Sequence, residues 1–196
     1  MHADFSLFSS IFLGIALSAC CGFRVFIPLL ATSIGAFNNW VNLSPDMQWI
    51  AQWPAIICFS TASIIEIGAY YIPFLDNILD TIATPLAIIA GTLLATSIIP
   101  LQETAPVFRW GIGFLAGGTT AGTIQLGTGL VRLFSTKATV GAGNPLIASA
   151  ENTAAVLGSI LSFIVPVVVA ILLLLLVLWV IFRSVRRLVR REESIY

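Results

Sequence analysis

A chain of 196 residues that is 58% hydrophobic and only 9% charged, with a mean hydropathy of +1.02, has too little polar surface to cover a water-soluble fold. Its formal net charge is zero, and no basic face or base-stacking motif accompanies it, which excludes a nucleic-acid binder. At roughly 20 residues per spanning helix the length predicts an all-α polytopic membrane bundle of about five to six helices, some short or broken.

Residues 5–37 are apolar apart from Arg24 and a few small side chains. At about 1.5 Å per residue that run is roughly 50 Å long, too long for one perpendicular helix. Gly22, Arg24 and Pro28 mark its midpoint, so the sequence predicts a span over 5–22 and a second, short or re-entrant helix over 25–37. Leu17-Ser18-Ala19-Cys20 resembles a lipoprotein cleavage box, but the leader Met1–Asp4 lacks Lys and Arg and the apolar run continues past Cys20. An uncleaved first span is therefore expected. Cys20, Cys21 and Cys58 show no metal spacing, and the single histidine is His2, so neither a disulfide framework nor a zinc site is expected.

Residues 38–45 read as a loop, and 49–72 as a span edged by Trp49, Trp53, Tyr70 and Tyr71 as interfacial aromatics. A carboxylate-bearing segment, 73–80, precedes an apolar helix over 81–100, with proline at 85 expected to end or kink it locally. A polar loop is predicted at 102–109 and a glycine-crowded helix at 110–134, whose small residues suit close helix packing and a homo-oligomer. Residues 135–150 read as an irregular loop, followed by one overlong helix from Glu151 past Phe182 with a kink at Pro166.

The helical domain is thus 1–182, and 183–196 forms a basic tail. Arg183, Arg186, Arg187, Arg190 and Arg191 are five of the nine basic residues. Arginines next to a span are retained inside, which predicts a cytoplasmic C-terminus. Two weak repeats are suggested by the ungapped alignment of Pro85–Pro100 with Glu151–Pro166, as in the duplicated halves of transporters.

Chemistry is expected at the few ionisable groups inside apolar sequence, because each costs at least roughly 2.5–3.5 kcal/mol at the bilayer centre. Glu66 reads either as an ion or proton site or as the partner of an arginine, for which Arg24 is the natural candidate. Arg24 could equally snorkel or hold a phosphate or anionic solute. Asp76 and Asp80, at i and i+4, face one side of a helix, either solvated or gripping a cation. In the stretch 144–152, Asn144-Pro145 is expected to break the chain, Ser149 to cap the next helix and Glu151 to sit in its positive first turn. The alternative for this stretch is a broken helix exposing polar groups to a cavity.

The segments GFRVFIPLLA (22–31), IEIGAYYIPFLDNILDTIATPLAIIAGTLLA (65–95) and GNPLIASAENTAAVLG (143–158) resemble a family of small bacterial membrane proteins, domain of unknown function 4126. The order Ile72-Pro73, Asp76, Asp80, Thr84-Pro85 is the most specific part of the likeness. The resemblance implies a multi-pass inner-membrane protein and no particular activity. The chain departs from the family's pattern at Tyr70-Tyr71, where an Asp-Lys pair is common, and at Ala87, where an arginine is.

The combined expectation is a small transporter or channel for an ion or small solute, with Arg24, Glu66, Asp76, Asp80, Asn144 and Glu151 along a polar path. The competing expectation is a non-transporting scaffold or lipid-interacting protein, which predicts paired carboxylates and no continuous polar cavity. No catalytic set and no cofactor motif is visible in the sequence, so an enzyme is not expected.

Overall fold

The computed structural model describes the backbone of residues 2–101, 104–139 and 141–193, and their side chains other than those of 2–6, 73, 74, 76, 77, 80, 180 and 183–193. Among the described residues there are eight α-helices and no strand. They are α1 (His2–Cys20), α2 (Phe26–Phe37), α3 (Trp53–Ala69), α4 (Pro73–Ile98), α5 (Pro106–Gly113), α6 (Thr119–Thr139), α7 (Asn144–Ile164) and α8 (Pro166–Glu193). A 3₁₀ turn at Pro45–Ala51 precedes α3, and a π turn at Phe114–Gly118 joins α5 to α6.

The long N-terminal run is broken where its sequence dictates. Pro28 has no N–H to donate to the Arg24 carbonyl, so a helix through Ile27–Phe37 cannot extend back across Arg24. The chain instead closes tight turns from Gly22 N to Ala19 O and from Phe23 N to Cys20 O, both 3.0 Å. A methyl group on Gly22 would stand 2.5 Å from the Ala121 carbonyl oxygen, so the turn is pressed directly onto α6.

α1 and α2 enter and leave the bundle by the same end. Descending α1, Gly14 faces Ile98, Ser18 donates to Gly91 O at 2.8 Å, Cys20 lies against Gly158, and Arg24 reaches Ala148 O at 3.2 Å. The chain then returns, for Gly35 faces Phe163 near the C-terminus of α7 and Trp40 packs edge-on to the same ring. The pair is a helical hairpin whose tip, Cys21–Val25, is buried among the other helices. The run is thus divided into two helices, α1 and α2, at the point where the sequence suggested.

Five helical passes surround the hairpin. α3 descends beside α2, with Phe37 on Trp53 at the entry end. α4 returns as one helix through Pro85, so that proline does not interrupt it; in a bundle, neighbouring groups satisfy what proline removes. α5, the π turn and α6 then make one continuous descent, with helical backbone at each junction. The expected loop at 102–109 is shorter, because Pro106 starts this helix at a position where its missing N–H is not needed.

Two further corrections follow from proline and glycine. α6 runs to Thr139, and Gly141, at φ +86°, terminates it in the left-handed region. Asn144-Pro145 then begins α7 instead of breaking the chain, so the expected irregular loop 135–150 shrinks to a short turn. At the other end of α7, the residue before Pro166 is forced out of the helical region, with Val165 at φ −135° and ψ 63°. The predicted overlong final helix is thus an antiparallel pair, in which Leu176 and Trp179 of α8 come beside Ile147 and Glu151 of α7.

Glycine packing binds α4 to the α5–α6 pass. Methyl groups on Gly91 would lie 2.6 Å from Gly117 O and 2.7 Å from Ala121 Cβ. The glycine-rich helix spends Gly113, Gly117, Gly118 and Gly122 inside the molecule, while Gly111 and Gly129 meet nothing within 4 Å. The outward faces of the bundle are apolar, with Ile57, Ile64, Leu172 and Leu178 all at least 60% exposed. At the entry end Ser44 N donates to Ser97 O at 2.8 Å, and Arg109 donates to Asp46, whose carboxyl it holds below the usual carboxylate range.

Thr81–Ile98 and Asn144–Ile164 are long and apolar enough to cross a membrane, and the 3₁₀ turn with α3, bent by 60°, makes a third if counted as one span. The two stretches aligned as a repeat, Pro85–Pro100 and Glu151–Pro166, lie in these same two helices. Both run antiparallel to α1.

Candidate functional site

The hairpin tip delivers Arg24 to the second and third turns of α7, where its guanidinium is 1% exposed. NH1 donates to Glu151 Oε2 at 2.8 Å and to Phe23 O at 3.1 Å, NH2 to Ala148 O at 3.2 Å, and Nε to Asn152 Oδ1 at 2.5 Å. Three of these acceptors are neutral, so the arginine's position is fixed largely independently of its counter-ion. Arg132 on α6, 2% exposed, approaches Glu151 from the other side, with Nε 3.1 Å from Oε1 and NH2 bonded to Oε2. One carboxylate is therefore shared by two guanidiniums.

Tyr70, at the C-terminus of α3, completes the pocket. The guanidinium carbons of Arg24 and Arg132 lie 3.8 Å and 4.2 Å from its ring centroid, an arrangement in which the ring quadrupole attracts both cations. This tyrosine is 3% exposed and is no interfacial anchor, unlike the expectation from its place at the edge of an apolar run. Its neighbour Tyr71 does sit on the surface, 46% exposed, and its hydroxyl is 2.9 Å from Ser149 Oγ.

Glu66 has a different partner from the arginine expected for it. Its two oxygens accept the backbone N–H groups of Val25 and Phe26 at 2.8 and 3.1 Å. These are donors that the first turn of α2 cannot satisfy internally, and the positive end of that helix favours a carboxylate there. Arg24 instead goes to Glu151, because the tip aims its side chain at α7 while its backbone faces α3. Among the described residues, two arginines and two glutamates thus form a buried cluster at the level where the hairpin turns.

The remaining predicted positions lie elsewhere. Asn144 is at the start of α7, with Nδ2 3.1 Å from Thr136 Oγ1, at the α6–α7 junction and away from the cluster. Glu151 lies beyond the first turn of α7, and Ser149 bonds back to Pro145 O at 2.8 Å instead of capping the helix. Asp76 and Asp80 belong to the first turns of α4, and their side chains lie outside the described residues, as do those of the C-terminal arginines. Among the described residues no three of His, Cys, Asp and Glu come together as a metal site.

Arg132 and Tyr70 are functional candidates that sequence reasoning passes over. A signal for Arg132 exists: it interrupts the apolar stretch Leu130-Val131-Arg132-Leu133-Phe134 just as Arg24 interrupts Phe23-Arg24-Val25-Phe26. Nothing in the sequence marks Tyr70 apart from Tyr71.

A cavity of about 350 Å³ adjoins the cluster, lined by Phe23, Ile124, Thr128, Glu151, Leu176 and Trp179 among others. A second space of about 650 Å³ lies between α2 and α7, lined mainly by Ile27, Leu30, Trp40, Ile160 and Phe163. Among the described residues, Glu151 is the only ionisable group on the walls of either.

These features define an all-α bundle, with two or three helices able to cross a membrane, built around a buried charge cluster at the tip of a helical hairpin. The chain belongs to the family described as domain of unknown function DUF4126, whose model matches residues 11–187. No curated protein and no solved structure matches it.

Proposed function

We propose that this protein is a small, non-enzymatic transporter or channel of the bacterial inner membrane, moving an ion or small solute past the cluster at the hairpin tip. The observation that carries this reading is the placement of four charges, Arg24, Glu66, Arg132 and Glu151, at a helix break inside the bundle. Charges at membrane depth are costly, and irregular backbone there is tolerated only where protein or a solvated path surrounds it. Discontinuous helices meeting ionisable groups are the usual construction of solute sites in membrane transporters. Glu66 and Glu151 are engaged by their partners, so the cluster acts as a closed lock across the path and not as its open lining.

The orientation follows from charge. Lys137 and the five C-terminal arginines all belong to the end opposite the hairpin's entry, and retention of basic residues inside makes that end cytoplasmic. A homo-oligomer would use the side of the glycine-rich helix bearing Gly111 and Gly129, since Gly113, Gly117, Gly118 and Gly122 are spent on α4.

A second reading, a scaffold or lipid-interacting protein, is favoured by the pairing of both carboxylates and by the apolar walls of the two cavities. Proteoliposomes separate the two. Vesicles containing the full chain and loaded with pH-, potassium- and chloride-sensitive dyes should leak at least one of these ions faster than empty vesicles, and E151Q together with R132Q should change that rate. Tight vesicles, or leak identical in both variants, would favour the scaffold.

A further inference from the structure

Glu151 occupies a site that has the attributes of an anion receptor. Two guanidiniums converge on one carboxylate, and Arg24 is held by Asn152 Oδ1, Ala148 O and Phe23 O, acceptors that do not depend on Glu151. Guanidinium forks match carboxylate and phosphate oxygens in geometry as well as charge. The occupant is tethered to α7, and a cavity of about 350 Å³ lies beside it, with Thr128 on its wall. A side chain that leaves the two arginines therefore has somewhere to go.

We propose that the cluster binds a small oxyanion, of the carboxylate or phosphate type, in exchange for Glu151. The proposal rests on the transport reading and gives it a solute class. In the exchange the incoming anion takes the hydrogen bonds of Arg24 and Arg132, and the Glu151 side chain moves into the cavity. An ionised carboxylate in apolar walls is costly, so it moves as the acid, having taken one proton from water. One anion and one proton enter together, and the formal charge of the cluster is unchanged. Among the described residues, the ionisable groups around Glu151 are Arg24 from the hairpin, Glu66 from α3, Tyr70 at the end of α3 and Arg132 from α6; α7 contributes neutral Asn152, and α8 contributes Trp179.

Trp179 supplies a reporter, because it lines the cavity that Glu151 would enter. In the purified full chain, sodium formate and inorganic phosphate should each change tryptophan fluorescence saturably above a sodium chloride control of equal ionic strength. The change should be lost in W179F and in R132Q, and should be larger at lower pH. In E151A, where the tethered competitor is gone, protection against thermal unfolding by the same anions should half-saturate at a concentration lower by about tenfold. If E151A does not fold, the wild-type and R132Q titrations decide. Absence of a saturable response in the wild type, or a response that survives in R132Q, overturns the proposal.

Nanodiscs distinguish a free anion from a lipid phosphate. If the source is an anionic lipid, discs of phosphatidylglycerol will show the saturated signal before any salt is added, whereas discs of phosphatidylcholine will not. Saturable binding with no ion movement in proteoliposomes would retain the anion site and remove transport; ion movement with no anion response would do the reverse.

Discussion

Glu151 is where the largest single-residue effects belong. Removing one partner of a buried ion pair leaves an uncompensated charge, typically costing about 3–5 kcal/mol, far more than the pair gains when intact. E151Q takes from Arg24 and Arg132 the carboxylate they share, whereas R132Q leaves Arg24 still bonded to Glu151 at 2.8 Å. We therefore expect E151Q to lower the thermal midpoint in detergent more than R132Q does. The double variant E151Q/R132Q should be less destabilised than the sum of the singles, since the groups share one network. Additivity in that cycle would mean that the two residues do not act as a unit. Glu66 is the contrasting case: its two oxygens accept Val25 and Phe26 N–H, one of which an amide oxygen can still accept, so E66Q should be milder than E66A. The sequence identifies Arg24, Glu66 and Glu151 as costly charges by their apolar surroundings alone. It does not give their pairing, because which arginine meets which glutamate depends on the reversal of the chain at the tip, a tertiary fact.

Helices are set against one another chiefly by glycine and proline. Where α4 meets the π turn, methyl groups on Gly91 or Gly117 would press into the facing backbone, so G91A and G117A should each cost about 1–3 kcal/mol, the usual penalty for overpacking. Gly111 and Gly129 on the same glycine-rich pass meet nothing, and alanine there should be neutral or stabilising by roughly 0.5–1 kcal/mol. Thermal unfolding of the four variants tests the contrast; equal effects at all four positions would mean that the close approach is not as described. The count of glycines was readable in the sequence, but not which of them faces a partner. Proline was read correctly at Pro28, too strongly at Pro85 and Pro145, and too weakly at Pro166. Pro85 lies inside a continuous helix, Pro106 and Pro145 begin helices, and Pro166 separates two helices that the sequence merged into one. The difference is one of position: proline is harmless in a first turn and decisive after a residue that must leave the helical region.

The whole molecule turns on the hairpin, because its parity sets which loops share a side. If α1 were a complete span and α2 another, the N-terminus and the loop at Asn38-Asn39 would still share a side, but the break at 21–25 would emerge at the opposite surface. In the structure the break stops inside the bundle, where Cys20 and Cys21 are fully buried. From that loop α3, α4, α5–α6, α7 and α8 alternate in direction along the bundle, so the described end of α8 lies at the end opposite that loop. This arrangement makes a test that needs no knowledge of the solute. In a variant with its native cysteines replaced by serine, single cysteines at Asn39, Thr104 and Lys137 would be labelled in sealed vesicles with a membrane-impermeant maleimide. Asn39 and Thr104 should react from one side and Lys137 from the other, while cysteine restored at 21 should react from neither. Labelling at 21 from the side on which Lys137 reacts would show that the break crosses the bilayer, turning the hairpin into two spans. Such a result would carry Arg24 to an aqueous surface and remove the reason for a buried counter-ion. An unreactive tip instead keeps both arginines in a low-dielectric interior, where their attraction to the Glu151 carboxylate is far stronger than it would be in water.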